Sequence, residues 1–419
     1  MKRCGRLFVW GLAVFILAVN QRAYGSGFAI YTQGASSLGQ AAVTIAHSDD
    51  PSTIFYNPAL INKFDGTQIQ AGTTLMFISR EFESASSGRT FKTKDDVFYP
   101  STFYITHKLN DKLSAGLGVF TPFGLGTDWG DDWAGRFLTT RAELRTVDIN
   151  PVLSCRITPN IAVAAGADFV ILDTTLESKI NFGAPLEGTK KFKGDGTGLG
   201  YNLGLLIDLA KDISFGASYR SQVRVDIDGR AEFSLPAPAF RPFFPDTNGS
   251  AHLKLPDRLH AGISYRGFDP LTLQVTYRWE GWSSFRELRI NLDQPVNGSP
   301  VDVTPKRWKD TSAVIVGAKY RLDDSAALLA GYLYSKNPVP DETFEPSLPD
   351  ADWHLFSVGT ELRRKQLKLD LAYSFMILES RDKRSNEIDA GLGLVGEERA
   401  NGTYNTQIHM IAASLTYAF

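Results

Sequence analysis

From Leu367 onward, hydrophobic and polar residues alternate one by one. Leu367, Leu369, Leu371, Tyr373, Phe375 and Ile377 fall on one face, and Lys368, Asp370, Ala372 and Ser374 on the other. The run from Leu271 sets Leu271, Leu273, Val275, Tyr277 and Trp279 against Thr272, Gln274, Thr276, Arg278 and Glu280. From Ile161, the residues Ile161, Val163, Ala165, Ala167, Phe169 and Ile171 oppose Ala162, Ala164, Gly166 and Asp168. A period of two over such lengths is a strand with one oily and one polar face. On its own it fits a soluble sandwich as well as a membrane wall.

Read this way, the chain holds fourteen strands, at 68–79, 97–109, 112–121, 144–157, 160–178, 196–209, 212–228, 253–267, 270–290, 308–322, 325–335, 352–364, 366–380 and 404–419. Every second connection is a tight turn, at Asn110-Asp111, Thr158-Pro159, Ala210-Lys211, Phe268-Asp269, Asp323-Asp324 and around Lys365. The connections between them are long, as at 179–195, 229–252 and 381–403. An even strand count with alternating short and long connections is the layout of an outer-membrane barrel, turns in the periplasm and loops outside. A sandwich has no reason to gather its long loops at one end. The predicted fold is therefore all-β, a fourteen-stranded antiparallel transmembrane barrel over 67–419. Ile411, Ala413, Leu415, Tyr417 and Phe419 alternate up to a terminal aromatic, the form of a last strand read by barrel-assembly machinery.

The N-terminus bears on the compartment. Lys2, Arg3 and Arg6 precede an apolar stretch, Leu7 to Val19, and a small-residue site at Ala23-Tyr24-Gly25, so residues 1–25 read as a cleaved secretory signal. Cys155 is then the one cysteine left, which excludes an internal disulfide and a cysteine metal site. No later segment has the continuous apolar length of a membrane helix. Residues 26–66 lack a strand period yet carry Phe28, Ile30, Tyr31, Ile54, Phe55, Tyr56 and Leu60, more apolar content than a disordered tail needs. A compact plug inside the barrel fits them better. The net charge of −2 gives no field for nucleic acid. The 12% aromatic content, with 27 Phe and 15 Tyr, suits a barrel with aromatic belts.

At this point the sequence resembles the outer-membrane long-chain fatty-acid transporter family, the FadL type, which includes aromatic-hydrocarbon porins. The resemblance runs in order through Ser26-Gly27-Phe28, Gly34-Ala35-Ser36-Ser37-Leu38-Gly39, Asp49-Asp50-Pro51 and Asn57-Pro58-Ala59-Leu60. It continues through Gly118-Val119-Phe120-Thr121-Pro122-Phe123-Gly124-Leu125, Ile149-Asn150-Pro151, Tyr219-Arg220-Ser221 and Leu255-Pro256-Asp257. Trp282-Ser283-Ser284-Phe285, Trp308-Lys309-Asp310 and Pro338-Val339-Pro340 complete it. It implies a monomeric barrel in the outer membrane of a Gram-negative bacterium, its lumen closed by an N-terminal hatch. It also implies that a hydrophobic substrate lands between extracellular loops, moves inside, and leaves sideways into outer-membrane lipid through a gap at a kinked third strand.

The individual motifs are read beside their plainer alternatives. At Thr121-Pro122-Phe123-Gly124 a proline without an N–H and a glycine interrupt the third strand. The residues alone allow either a wall opening or a strand that simply ends; the resemblance selects the opening. Asn57-Pro58-Ala59 is either an ordinary turn or, as the resemblance implies, a tie in which Asn57 bonds the kinked strand. The resemblance also sets Phe28 and Phe120 on the ligand path. Phe240, Phe243 and Phe244 in loop 229–252 are a landing site for oily ligand or pack on a neighbouring loop. Trp129 and Trp133 are that neighbour or belt residues. Lys306, Arg307 and Lys309 offer cations for a carboxylate, or form a solvated cluster at a loop end. The family's ligand-contacting arginine at the end of the fifth strand falls on Ser178 here, with Lys179 facing the other way. Fatty acid and neutral hydrocarbon both stay open as substrates.

Signals for chemistry are poor: the six histidines have no metal-ligand spacing, and Gly194-Asp195-Gly196-Thr197-Gly198 leads into a strand, unlike a nucleotide fingerprint. The expectation is a transporter without cofactor, metal or catalytic residue. A barrel lipase and an open diffusion porin are the rivals.

Overall fold

The structure, a computed structural model, describes residues 27–94, 97–183 and 185–419. The signal peptide read at 1–25 lies outside the described residues. Fourteen strands close on themselves: the first (Thr67–Ser84) pairs antiparallel with the last (Gly402–Ala418) from Gln68↔Ala418 to Ser84↔Gly402. Between them run strand two (Ser101–Lys108), three (Leu113–Phe120, resumed at Gly124–Asp128), four (Arg141–Thr158), five (Ile161–Asn181) and six (Glu187–Ala210). Seven (Ile213–Arg220 and Val223–Ser234), eight (Thr247–Leu255 and Arg258–Phe268), nine (Leu271–Glu280) and ten (Thr311–Arg321) follow. Eleven (Ala326–Ser335), twelve (Trp353–Arg364) and thirteen (Leu367–Leu378) lead to the last.

The burial pattern tells which side of this wall is wet. Leu367, Leu371 and Tyr373 are exposed while Lys368, Asp370 and Ser374 between them are buried. Phe169 and Ile171 are exposed beside buried Asp168, and Ile411 and Leu415 beside buried Ser414. Apolar outside and polar inside is wrong for a protein in water and right for a barrel in lipid. Among the described residues no helix is long and apolar enough to cross a membrane.

The expected strands are present, but those nearest the aromatic interior are longer than the alternation suggested. Strand six begins at Glu187, and strands five and seven reach Asn181 and Ser234, so much of 179–195 and 229–252 is strand. The reason is a change of phase. Below Ser221-Gln222 the inward residues of strand seven include Ser214 and Arg220; above it they are Val223, Val225 and Ile227, with Arg224, Asp226 and Asp228 outward. Pro256-Asp257 does the same to strand eight, placing Leu253 and Leu255 inside. At each break successive inward residues stand three apart instead of two, Arg220 to Val223 and Leu255 to Arg258, and this one-residue offset reverses the parity, so the upper strands read oily inside and polar outside. The span 270–290 is likewise not one strand. Strand nine ends at Glu280, and a separate hairpin, Glu287–Val296 with Ser299–Pro305, rises before strand ten.

Residues 27–64 run inside the barrel. They form two short helices, Ala35–Gly39 and Thr53–Tyr56, and a 3₁₀ turn, Pro58–Lys63. Nearly all are buried, and Lys319, Arg363 and Lys368 of the wall hold Asp49 from three strands.

Candidate functional site

Pairing in the wall fails at strand three. Its ladder with strand two runs from Lys108↔Ser114 to Phe103↔Val119 and stops. Beyond the break, Gly124–Asp128 pairs with strand four, and on its other edge Lys94 N–H donates to Asp128 O and the Arg80 guanidinium to Gly126 O in place of a strand-two ladder. The backbone of the break is nevertheless satisfied, from inside. Thr121 O accepts from Gln33 Nε2 at 2.6 Å and Pro122 O from Ile30 N–H at 2.9 Å. Gly124 N–H donates to Phe28 O at 2.9 Å, and Thr146 Oγ1 of strand four bonds both Phe123 N–H and Phe123 O. Phe28–Ile30 thus form a bridge, Ala29↔Phe123, in the place of a neighbouring strand. A Cβ on Gly124 would stand 2.7 Å from Ile30 Cδ1, so glycine is what permits this approach. Each such bond left unmade in a buried site would cost about 1–3 kcal/mol.

The N-terminal segment is therefore bonded to the kink, but Asn57 does not make these bonds. Asn57 Nδ2 donates to Ile45 O within the N-terminal segment and to Leu205 O of strand six, while its Oδ1 caps Ala59 N–H. Its place at the head of the Pro58–Lys63 turn, with Pro58 and Ala59 against Gly204, holds it on strand six, three strands round the wall from the kink. Gln33 and the backbone of Phe28–Ile30 do the work expected of it. Gln33 lies in a stretch without periodicity, and only its polarity amid buried neighbours distinguishes it.

Above the kink lies an aromatic cluster. Phe28 meets Trp282 at 4.8 Å between ring centroids, Trp308 at 5.8 Å and Phe123 at 5.9 Å. Phe285, Val225, Leu253, Leu255 and Phe344 extend the same buried apolar region. Gly27 enters it at φ +56°, where a Cβ would sit 2.7 Å from Trp308, and its N–H donates to Asp350 Oδ2 at 3.1 Å. Burial pushes that loop carboxyl up to about 7, against the pull of Arg381 and the Gly27 N–H.

The other expected residues divide. Phe120 is buried below the kink between Phe55 and Tyr104, apart from the cluster that holds Phe28. Phe240 and Phe244 pack on Phe182 of the neighbouring loop at 4.3 and 5.2 Å, and Phe243 stays exposed at the rim. Trp129 and Trp133 are neither belt residues nor that neighbour: they stack on each other at 4.6 Å inside the barrel mouth. Lys306, Arg307 and Lys309 do not converge. Lys306 is buried on Glu345, and burial pushes its ammonium down to about 7; Arg307 pairs with Glu387. Lys309 faces a separate polar recess of 370 Å³ with Lys336 and Arg381. Trp308 between them is buried in the aromatic cluster, and the left-handed backbone at Arg307 lies in a stretch without strand structure. Ser178 does face inward, and Lys179 pairs with Asp131. An apolar recess of 540 Å³ around Val275, Tyr332, Phe356 and Tyr373 lies on the lipid side of the wall, away from this site.

A closed barrel, polar within and oily without, that seats its own N-terminal segment is an outer-membrane protein of a Gram-negative bacterium. The model of the family described as outer membrane protein transport protein (OMPP1/FadL/TodX) matches residues 16–419, and the chain belongs to that family. It is similar to the long-chain fatty acid transport protein of Escherichia coli K12, 24% identical over 87% of this chain and 91% of that protein. It is also similar to the 47 kDa outer membrane protein of Pasteurella multocida, 25% identical over 93% and 95%. The crystal structure of a Pseudomonas aeruginosa FadL homologue superposes with TM-score 0.82 at 20% identity, covering 94% of this chain and all of that one. The toluene transporter TodX of Pseudomonas putida superposes with TM-score 0.72 at 17% identity, covering 92% and 98%.

Proposed function

We propose that this protein takes up hydrophobic compounds, long-chain fatty acids foremost, and releases them sideways into the outer membrane beside the kinked third strand. In this reading residues 26–66 are the hatch that closes the lumen. The observation that carries it is the bonding of the break: the backbone of Thr121–Gly124 is completed by Phe28, Ile30 and Gln33 of that segment. A wall opening whose missing partner is a movable segment is a gate. Phe28 belongs both to this bridge and to the aromatic cluster, so a substrate tail that displaces its ring loosens the bridge as it binds. Each CH₂ kept from water contributes roughly 0.8 kcal/mol, so a long acyl chain has far less to overcome moving into lipid than into the periplasm. Exposed Phe243, with Phe240 and Phe244 beside it, supplies the landing surface outside.

A second reading, uptake of neutral aromatic hydrocarbons, is favoured by one observation: the inner face of strand five carries Ser178 where the resemblance expects an arginine. Deleting Pro122 and Phe123 together preserves alternation and lets strand three run straight. Uptake of labelled oleate by cells is expected to fall at least tenfold at normal barrel abundance. Uptake at the wild-type rate would place the exit elsewhere.

A further inference from the structure

One row of residues crosses the barrel interior at the level of the kink. Arg220 of strand seven lies directly opposite Arg258 of strand eight, which lies opposite Glu280 of strand nine. Like charges placed so are destabilising unless something offsets them. Arg220 has its offset in Asp148 and Asp168. Arg278, diagonal to Arg258 on strand nine, has Glu280 Oε2 at 3.6 Å from Nε, while the other Glu280 oxygen accepts the Tyr31 hydroxyl. For Arg258, no carboxylate lies within 4.0 Å among the described residues. Its guanidinium faces rings instead, 4.8 Å from the centroid of Phe123 and 5.3 Å from that of Phe55.

The donors here are unmatched as well as the charge. Arg258 Nη1 and all three guanidinium nitrogens of Arg278 lack an acceptor among the described residues, though these side chains are 3% and 1% exposed. Trp282 Nε1, in the aromatic cluster next to Phe123, lacks one too. A buried cation without a partner is among the costliest arrangements in a protein, and proteins keep such groups where a ligand completes them.

We propose that Arg258, backed by Arg278, is the seat of a carboxylate whose hydrocarbon tail lies in the aromatic cluster around Phe28 and Trp282. This rests on the hydrophobic-uptake reading above and narrows it to anionic amphiphiles. It moves recognition of the head group from the end of strand five, where Ser178 stands, to strands eight and nine. It also sets the head group against Phe123, so that the charge is read at the kink itself. Lys306 and Arg307 cannot serve in its place while Glu345 and Glu387 hold them.

The test uses the full-length protein in a neutral detergent and two radiolabelled ligands, oleate and methyl oleate, which share a tail and differ in charge. The wild type is expected to bind oleate at least tenfold more tightly. Arg258→Met and Arg278→Met are each expected to weaken oleate about 10- to 100-fold, the range for a hydrogen bond to a charged group, and to leave methyl oleate unchanged. Carboxyl-labelled oleate supplies a second readout, because its bound carbon signal titrates below that of free oleate only while Arg258 is present. Should methionine prevent folding, Arg258→Lys keeps the charge and loses the planar fork; a smaller loss confined to oleate supports the site. Equal wild-type affinities, or a variant that weakens both ligands alike or neither, overturns it. A wild type that binds neither ligand overturns the uptake reading first, and this one with it.

Discussion

Gln33 shows how much of the bonding at the break rests on a single side chain. Its amide donates to Thr121 O at 2.6 Å and to Ile30 O at 2.9 Å, joining both strands of the bridge, while Tyr104 steadies its backbone carbonyl at 2.8 Å. Gln33→Ala leaves the Thr121 carbonyl buried and unpaired, a loss of about 1–3 kcal/mol for the closed gate. Single-channel recordings of this variant are expected to show openings at least several times more frequent than wild type; an unchanged record would mean that Gln33 only fills space. The proline and glycine of the kink were legible in the sequence because each removes something a strand requires. Gln33 was not, because a bonding partner 88 positions away leaves no local mark. Arg278 was in view, on the polar face of its strand. Its meaning waited on closure of the barrel, which sets it beside Arg258.

At the scale of elements, the N-terminal segment is held by charge below and by aromatic rings above. His47 sits at the lower end, where burial pushes its imidazolium down to about 4; Arg266, Lys319 and Lys63 add to the effect and Asp49 opposes it. A histidine with a lowered folded pKa costs nothing when both states are neutral, and its penalty grows as pH falls below the ordinary value near 6.5. The seated segment therefore weakens between pH 6.5 and 4, by at most roughly 2 kcal/mol at pH 5. Openings at pH 5 are expected to exceed those at pH 7.5, and His47→Gln to remove the difference; a pH response that survives that substitution would assign it to another group. The strands themselves were readable where one face meets lipid, since Leu, Phe and Tyr then recur at every second position. They were cut short above Ser221-Gln222 and Pro256-Asp257, where the outer face meets water and Lys191, Lys193, Arg230 and Asn248 look like loop. Asn57-Pro58-Ala59 was legible as a motif, but which wall it touches depends on how the segment folds back inside.

For the molecule as a whole, the short and long connections fixed strand count and handed the fold to the membrane before any contact was known. The lumen then shows a division: polar walls hold Asp49 of the N-terminal segment, and an aromatic upper interior surrounds Phe28. Phe419 lies at the opposite rim, 72% exposed, its N–H bonded to Thr67 O at the seam. Removing it is expected to lower the fraction of heat-modifiable, folded barrel severalfold while uptake per folded barrel stays unchanged; normal folding with impaired uptake would give it a role in transport instead. The central claim, that the N-terminal segment must leave the kink for substrate to pass, has a direct test in the Ala29↔Phe123 bridge. The bonds flanking this pair make it the close type, with Cα atoms about 4.5 Å apart, which a disulfide can span. In a Cys155→Ser background, Ala29→Cys with Phe123→Cys is expected to abolish oleate uptake when oxidised and to restore it on reduction. Equal uptake by the oxidised and reduced forms would contradict the gate.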